Sequence, residues 1–227
     1  MRIQFPEIAR RGQLEVLRAI GRMDGAEVLS FGGGTALALV YLGHRISVDL
    51  DFFAPDRDAF EDGKHIVVNA LRSLNYKFDP EYGATQATFM IDLGDEKLKV
   101  DVLLEPDLSA RQPPSTQLEG TGVWVLALST LASLKVKAAI SRGELDRLKD
   151  IVDLLAIEEL RGVSVSAACP RDPRVAGELL EALEELEDLI RDLPTLRLRG
   201  GFAQNPSMLL RRKDAVASSL LRLLWPE

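Results

Sequence analysis

The hydrophobic positions change period several times along this chain. Ile8, Leu14, Leu17 and Ile20 form a helical stripe that predicts an amphipathic helix over residues 7–21, closed by the Asp24-Gly25 turn. Val28–Phe31 predicts a short buried strand running into Gly32-Gly33-Gly34, and Thr35–Leu42 predicts a helix with Gly43 as its stop. Ser47–Phe53 then alternates, with Val48, Leu50 and Phe52 on one face of a strand and Asp49, Asp51 and Phe53 on the other; Ala54-Pro55-Asp56 ends it. A helix is expected over 58–74, followed by β-like stretches at Tyr76–Phe78, Ala87–Leu93 and Lys97–Leu104, the last two joined by a Gly94-Asp95 hairpin signal. Beyond the Pro-rich loop Arg111–Ser115 and a short strand near Val123–Val125, the pattern becomes helical at 129–142, 145–160, 174–192 and 208–224. The expectation is an α+β protein with a mixed α/β part over residues 1–126 and an all-helical part over 127–227.

Composition narrows the class. The 227 residues are 46% hydrophobic and 28% charged, the balance of an ordinary globular protein. No apolar stretch is long enough to span a bilayer, so no membrane partner is expected. The first residues carry Arg2, Glu7, Arg10 and Arg11 without an apolar core, which points to the cytoplasm. The single cysteine, Cys169, excludes an internal disulfide. With His44 and His65 the only histidines, a zinc site is a poor fit, and a metal here would be a hard ion held by oxygen. The net charge of −7 argues against broad nonspecific binding of nucleic acid. Charge is also uneven. The stretch from Gly177 to Asp192 is strongly acidic and reads as a solvated helix face, whereas the tail from Leu193 to Pro226 is basic, suiting either RNA or the acidic helix.

Asp49 and Asp51 carry the first chemical signal. Two residues apart in a strand, their side chains point the same way with Cα atoms roughly 6.5–7 Å apart. Aspartate is a poor strand former, and two carboxylates side by side repel unless a cation lies between them. Asp101, a lone acid in the apolar run Leu98–Leu104, is the candidate third ligand; Asp92 precedes the Gly94 turn and is expected to be exposed. The set suits Mg²⁺ or Mn²⁺. The glycine turn lacks the Lys-Ser/Thr of a P-loop and is not GxGxxG. Glycine nevertheless admits phosphate oxygens close to backbone N–H groups at a helix start, with Thr35 expected at the cap. A phosphate-holding turn close to a metal-holding acid pair predicts nucleotide chemistry.

Gly33-Gly34-Thr35-Ala36-Leu37-Ala38-Leu39, followed by His44-Arg45-x-Ser47-x-Asp49-Leu50-Asp51-Phe52, resembles the AbiEii/AbiGii family within the DNA polymerase β-like nucleotidyltransferase superfamily. A second block from Leu131 to Leu154 matches through Lys135, Ala138, Arg142, Lys149-Asp150 and Asp153, and the likeness covers roughly residues 27–160. The resemblance implies a minimal nucleotidyltransferase core, a small mixed sheet flanked by helices, followed by a C-terminal helical bundle, with substrates bound in the cleft between them. It implies that Gly33, Gly34, Thr35, Arg45 and Ser47 bind an NTP, that Asp49 and Asp51 bind metal and nucleotide, and that Lys135 and Asp150 act with them. Lys135 would meet the triphosphate while Lys137, about 200° round the helix, faces away. Asp146, Asp150 and Asp153 share a helix face, Lys149 is placed to pair with Asp153, and Asp150 with Lys135 or Arg142. Arg45 suits either a phosphate or Asp51. The implied activity is Mg²⁺-dependent transfer of NMP to an acceptor, tRNA by resemblance, by the toxin of a type IV toxin–antitoxin or abortive-infection system with a separately encoded antitoxin. Two alternatives stay open: an acceptor that is a small molecule or a protein side chain, and a non-catalytic binding module.

Overall fold

The computed structural model describes residues 1–108, 116–170, 172–186, 197–205 and 207–224. The loop at Arg111–Ser115 and the end of the helix expected over 174–192 lie outside these residues. The chain divides into two compact units, Met1–Tyr41 with Ser47–Ala127, and Leu42–Ile46 with Leu128–Glu227.

The first unit is built on one mixed sheet. Its strands are β1 (Ser30–Gly32), β2 (Leu50–Ala54), β3 (Lys77–Tyr82), β4 (Gln86–Asp92), β5 (Lys97–Leu104), β6 (Thr116–Gln117) and β7 (Trp124–Val125), in the order β3-β4-β5-β2-β1-β7-β6. The β2–β5 and β1–β7 pairs are parallel and the others antiparallel. At the centre, Leu50, Asp51 and Phe52 stand opposite Val100, Asp101 and Val102. Strand alternation puts Leu50, Phe52, Val100 and Val102 together on one face, and all four are fully buried. Each such side chain contributes roughly 1.5–3 kcal/mol through burial. Helix α3 (Arg57–Ser73), capped by the Asp56 carboxylate accepting from the Ala59 amide, packs on β2 and β5 through Phe60, Val67, Ala70 and Leu71. Gly63 lets it come close, because a Cβ there would lie 2.6 Å from Leu29 Cδ2. The opposite sheet face carries Asp51, Lys99 and Asp101, with Phe53 and Thr88 beside them.

The structure corrects several local expectations in this unit, among them the strand expected over Val28–Phe31, which is Ser30–Gly32 after a 3₁₀ turn at Ala26–Val28, and the stretch at Tyr76–Phe78, which runs on as Lys77–Tyr82. The helix expected over 7–21 is a 3₁₀ turn, Pro6–Ile8, and a separate helix α1 (Gln13–Ile20), because Gly12 between them has φ of 78°. Its buried face runs through Gln13, Val16, Leu17 and Ile20, and Leu14 is only partly covered. The strand expected from Ser47 begins at Leu50. The Gln13 amide donates to the carbonyls of Ser47 (3.1 Å) and Val48 (3.0 Å), which are thereby held by a side chain in place of a ladder. Val48 is accordingly 43% exposed and is not on the buried face. The helix after the glycine turn starts two residues early, as α2 (Gly33–Ala36), and continues as a π-helical turn, Leu37–Leu42, before Gly43 at φ 62° stops it.

The second unit contains α4 (Leu128–Ser141), α5 (Glu144–Arg161), α6 (Val165–Ala168), α7 (Pro173–Glu184), α8 (Gly200–Gln204) and α9 (Ser207–Leu224). Helix α4 packs along α5, which ends at Gly162 in the left-handed conformation. The basic helix α9 packs on the acidic α7, and its buried positions are Leu209, Lys213, Val216 and Leu220. Its Arg212 pairs with Glu159 and, at 3.8 Å, with Glu158, both on α5.

Candidate active site

The glycine turn and the acid strand meet side chain to backbone. Gly32 and Gly33 sit at the β1–α2 junction, where Gly32 pairs with Asp51 across the antiparallel β1–β2 ladder. Gly33 has φ of 65°, and a Cβ on it would lie 1.8 Å from Asp51 Oδ2. Only a residue without a side chain leaves room for that carboxylate. Thr35, expected at the cap, lies inside α2 and is fully buried, while Gly32 occupies the cap. The Thr35 hydroxyl donates to the Asp49 carbonyl, which fastens the helix start to the residue just before β2. Gly33→Ala is therefore expected to lose about 1–3 kcal/mol of stability through positive φ and the clash with Asp51. Urea denaturation checks this, with Gly143→Ala, at a position where an added Cβ meets nothing, as the control.

Three carboxylates share this region. Asp51 and Asp101 are direct partners across β2 and β5, and Asp49 precedes β2. Asp101 is 3% exposed, and its Oδ1 accepts from the Thr88 hydroxyl at 2.7 Å. Thr88 is its partner on β4. Lys99, two residues before Asp101 on the same strand face, donates to Asp101 Oδ2 at 2.8 Å and lies 3.7 Å from Asp49 Oδ2. Burial pulls the Lys99 pKa down, but the hydrogen bond and charge of Asp101, then the charges of Asp49 and Asp51, outweigh it and raise it. Sequence reasoning missed Lys99 and Thr88; the alternation of β5 that places Asp101 also places Lys99 on the same face.

The site fits a hard divalent cation in its chemistry. All three candidate ligands offer carboxylate oxygen, and a cationic group already lies within 4 Å of two of them. Among the described residues, no three acids, histidines or cysteines converge as a ready metal cage. Asp92 is exposed and accepts from the Gly94 amide in the turn.

The residues expected from the later helices form a second cluster, in the helical unit. Lys135 is 7% exposed, whereas Lys137 is exposed. The Lys135 ammonium lies 2.5 Å from Asp150 Oδ1 and 2.7 Å from Asp153 Oδ2, and Arg142 reaches Asp150 Oδ2 at 3.1 Å. Arg45 forks onto Asp153, through Nε to Oδ1 at 2.7 Å and Nη2 to Oδ2 at 2.9 Å. His44 Nε2 meets the same Oδ1 at 2.6 Å. Asp153 thus gathers three basic side chains; burial pushes its carboxyl up, but the charges of Arg45 and Lys135, then the hydrogen bonds from Arg45 and His44, hold it well below the ordinary 3.8. The pairing expected between Lys149 and Asp153 does not form; Lys149 pairs with Asp146 at 2.8 Å, on the solvent side of α5. Asp146, 63% exposed, is correspondingly apart from Asp150 and Asp153.

His44 is wholly buried, and its Nδ1 has no hydrogen-bond partner among the described residues. A carboxylate against Nε2 calls for the tautomer protonated there, leaving Nδ1 bare, and a second proton would create a buried unmatched donor. Burial therefore lowers the His44 pKa from 6.5, overriding the opposing pull of Asp153. The unfolded chain takes up this proton first, so stability is full above the unfolded value of 6.5 and is lost as pH falls below it. Urea midpoints measured from pH 8 to 5 are expected to fall on the acid side, and His44→Gln is expected to flatten that limb.

The model of the nucleotidyl transferase AbiEii toxin family, assigned to a type IV toxin–antitoxin system, matches residues 15–206, most of this chain. The chain belongs to the AbiEii family. The crystal structure of JHP933 from Helicobacter pylori superposes with a TM-score of 0.57 at 15% identity, covering 92% of this chain and 88% of that one. MenT4, a nucleotidyltransferase toxin from Mycobacterium tuberculosis H37Rv, gives 0.50 at 16% identity over 95% and 82%. At such identity these two show the fold. A comparison with curated protein sequences gives no match. The AbiEii assignment agrees with the expectation drawn from the glycine turn and Asp49-x-Asp51. Among the described residues no helix is long and apolar enough to cross a membrane.

Proposed function

We propose that this AbiEii-family chain transfers a nucleoside monophosphate from an NTP to an acceptor hydroxyl, using Asp49, Asp51 and Asp101 as ligands for Mg²⁺ or Mn²⁺. The observation that carries the reading is the packing of Gly33 against the Asp51 carboxylate, with Asp101 in register beside it. It joins the turn suited to phosphate to the acids suited to metal. A divalent ion bound there would polarise the α-phosphate and lower the pKa of the attacking hydroxyl. The chain's own part is positioning. Gly33 and Gly34 present backbone N–H groups at the start of α2, Thr35 fixes Asp49, and Thr88 fixes Asp101. Ser47 remains a candidate nucleotide contact, whereas Arg45, expected to serve a phosphate or Asp51, is buried and holds Asp153 instead. Lys135 and Asp150 are assigned a supporting role, since they fix the Asp153 cluster in the helical unit.

The acceptor in this reading is tRNA, and the protein acts in the cytoplasm as a toxin restrained by a separately encoded antitoxin. The family assignment supports the toxin role, and Arg211 and Arg222, exposed on α9, offer phosphate contacts. The net charge of −7 favours a second acceptor class, a small molecule or a protein side chain. Incubation with each α-³²P-NTP, Mg²⁺ and total tRNA separates them. Label on RNA, lost at high salt, supports the tRNA reading and identifies the nucleotide. Label on protein points to a side-chain acceptor, and nucleotide binding without either product points to a small molecule. Absence of both metal and nucleotide binding would leave a binding module.

A further inference from the structure

Lys99 holds an unusual position for a lysine on a partly open sheet face. Its flexible stem can carry the ammonium into water, yet the ammonium turns inward. It donates to Asp101 Oδ2 at 2.8 Å and lies 3.7 Å from Asp49 Oδ2. The other oxygen of Asp101 is taken by Thr88, so the oxygen that Lys99 holds is the one left for a ligand. Asp51 faces Asp101 across the β2–β5 ladder, and its carboxylate lies close against Gly33. Carboxylates facing one another on neighbouring strands are stabilised in their charged form by a nearby positive charge whether or not a metal is bound.

We propose that Lys99 is a tethered counter-ion that offsets part of the charge of Asp49 and Asp101 in the metal-free protein and competes with the divalent cation for the same oxygens. The proposal rests on the metal reading given above. Binding of the ion breaks the Lys99–Asp101 hydrogen bond and releases the ammonium from the carboxylates. Lys99 thereby sets the metal concentration at which the site fills. It also holds the acids together when metal is scarce.

Mn²⁺ titration followed by the electron paramagnetic resonance signal of the free ion tests this on the full chain without any turnover. Lys99→Met is expected to bind Mn²⁺ at least about tenfold more tightly than wild type, because a competing charge a few ångströms away is gone. Lys99→Arg, which keeps the charge, is expected to stay close to wild type, and Lys99→Gln serves as a second neutral variant should the methionine variant fold poorly. In thermal melts without metal the neutral variants are expected to melt below wild type, with saturating Mn²⁺ removing the difference. Equal or weaker Mn²⁺ binding by the neutral variants, with binding still abolished by Asp49→Asn/Asp51→Asn, overturns the proposal and leaves the metal site standing. No Mn²⁺ binding by wild type or by any Lys99 variant overturns the metal reading itself, and the proposal with it.

Discussion

Asp51→Asn is expected to lower nucleotidyl transfer by about a hundred- to a thousandfold, the loss typical when a preorganised charge-stabilising group is removed from a reaction centre. The substitution keeps the shape that packs against Gly33 and leaves the β1–β2 and β2–β5 ladders intact. Only the charge goes, and with it the ability to hold a divalent cation beside Asp101. Asp51 lies on the face of β2 opposite Leu50 and Phe52, so the buried side of the strand is untouched. The fold should therefore survive, and initial rates measured beside a denaturation curve separate loss of chemistry from loss of structure. Full activity in a folded Asp51→Asn protein would remove the carboxylate centre from the account.

Asp153→Ala is expected to cost about 3–5 kcal/mol of stability, because removing one partner of a buried ion pair leaves charge uncompensated. Asp153 is fully buried and receives Arg45 at two points, Lys135 at 2.7 Å and His44 at 2.6 Å. Lys135 keeps Asp150 in the variant, but Arg45, itself 6% exposed, loses both of these bonds. Asp146→Ala on the same helix, where the side chain is 63% exposed, is expected to change stability by no more than about 0.5 kcal/mol. Urea unfolding of the two variants is the check, and similar small losses in both would contradict the structural weight given to Asp153. The folded pKa of Asp153 lies well below 3.8, so its contribution is complete above that pH and disappears as pH falls through the folded value.

Most secondary structure was legible because it depends on local pattern. The expected helices at 58–74, 129–142, 145–160 and 208–224 fall within one residue of α3, α4, α5 and α9 at each end. Strand β5 matches its expected range, Lys97–Leu104, because strict alternation and the Gly94 turn agree. The start of β2 was not legible. It is decided by the Gln13 amide, more than thirty residues away, taking the carbonyls that a strand would have used. The departures around the two clusters have the same origin. Lys149 has Asp153 in reach by helix spacing alone, but Asp153 faces inward, where His44 and Arg45 arrive from a segment over one hundred residues earlier. Lys99 is two residues from Asp101 on the same face of β5, but its approach to Asp49 depends on the neighbouring strand, which local pattern does not specify. Asp150, placed by helix spacing to pair with Lys135 or Arg142, meets both, and Asp153 joins Lys135 from the next turn.

In the proposed reaction the bond broken lies between the α- and β-phosphates. The most direct measurement compares α-³²P- and γ-³²P-labelled samples of the same NTP with wild-type protein, Mg²⁺ and tRNA. The α-label is expected to become covalently attached to the acceptor while γ-label leaves as pyrophosphate, with both signals lost in Asp51→Asn. Transfer of γ-label to the acceptor would contradict it and make the protein a kinase.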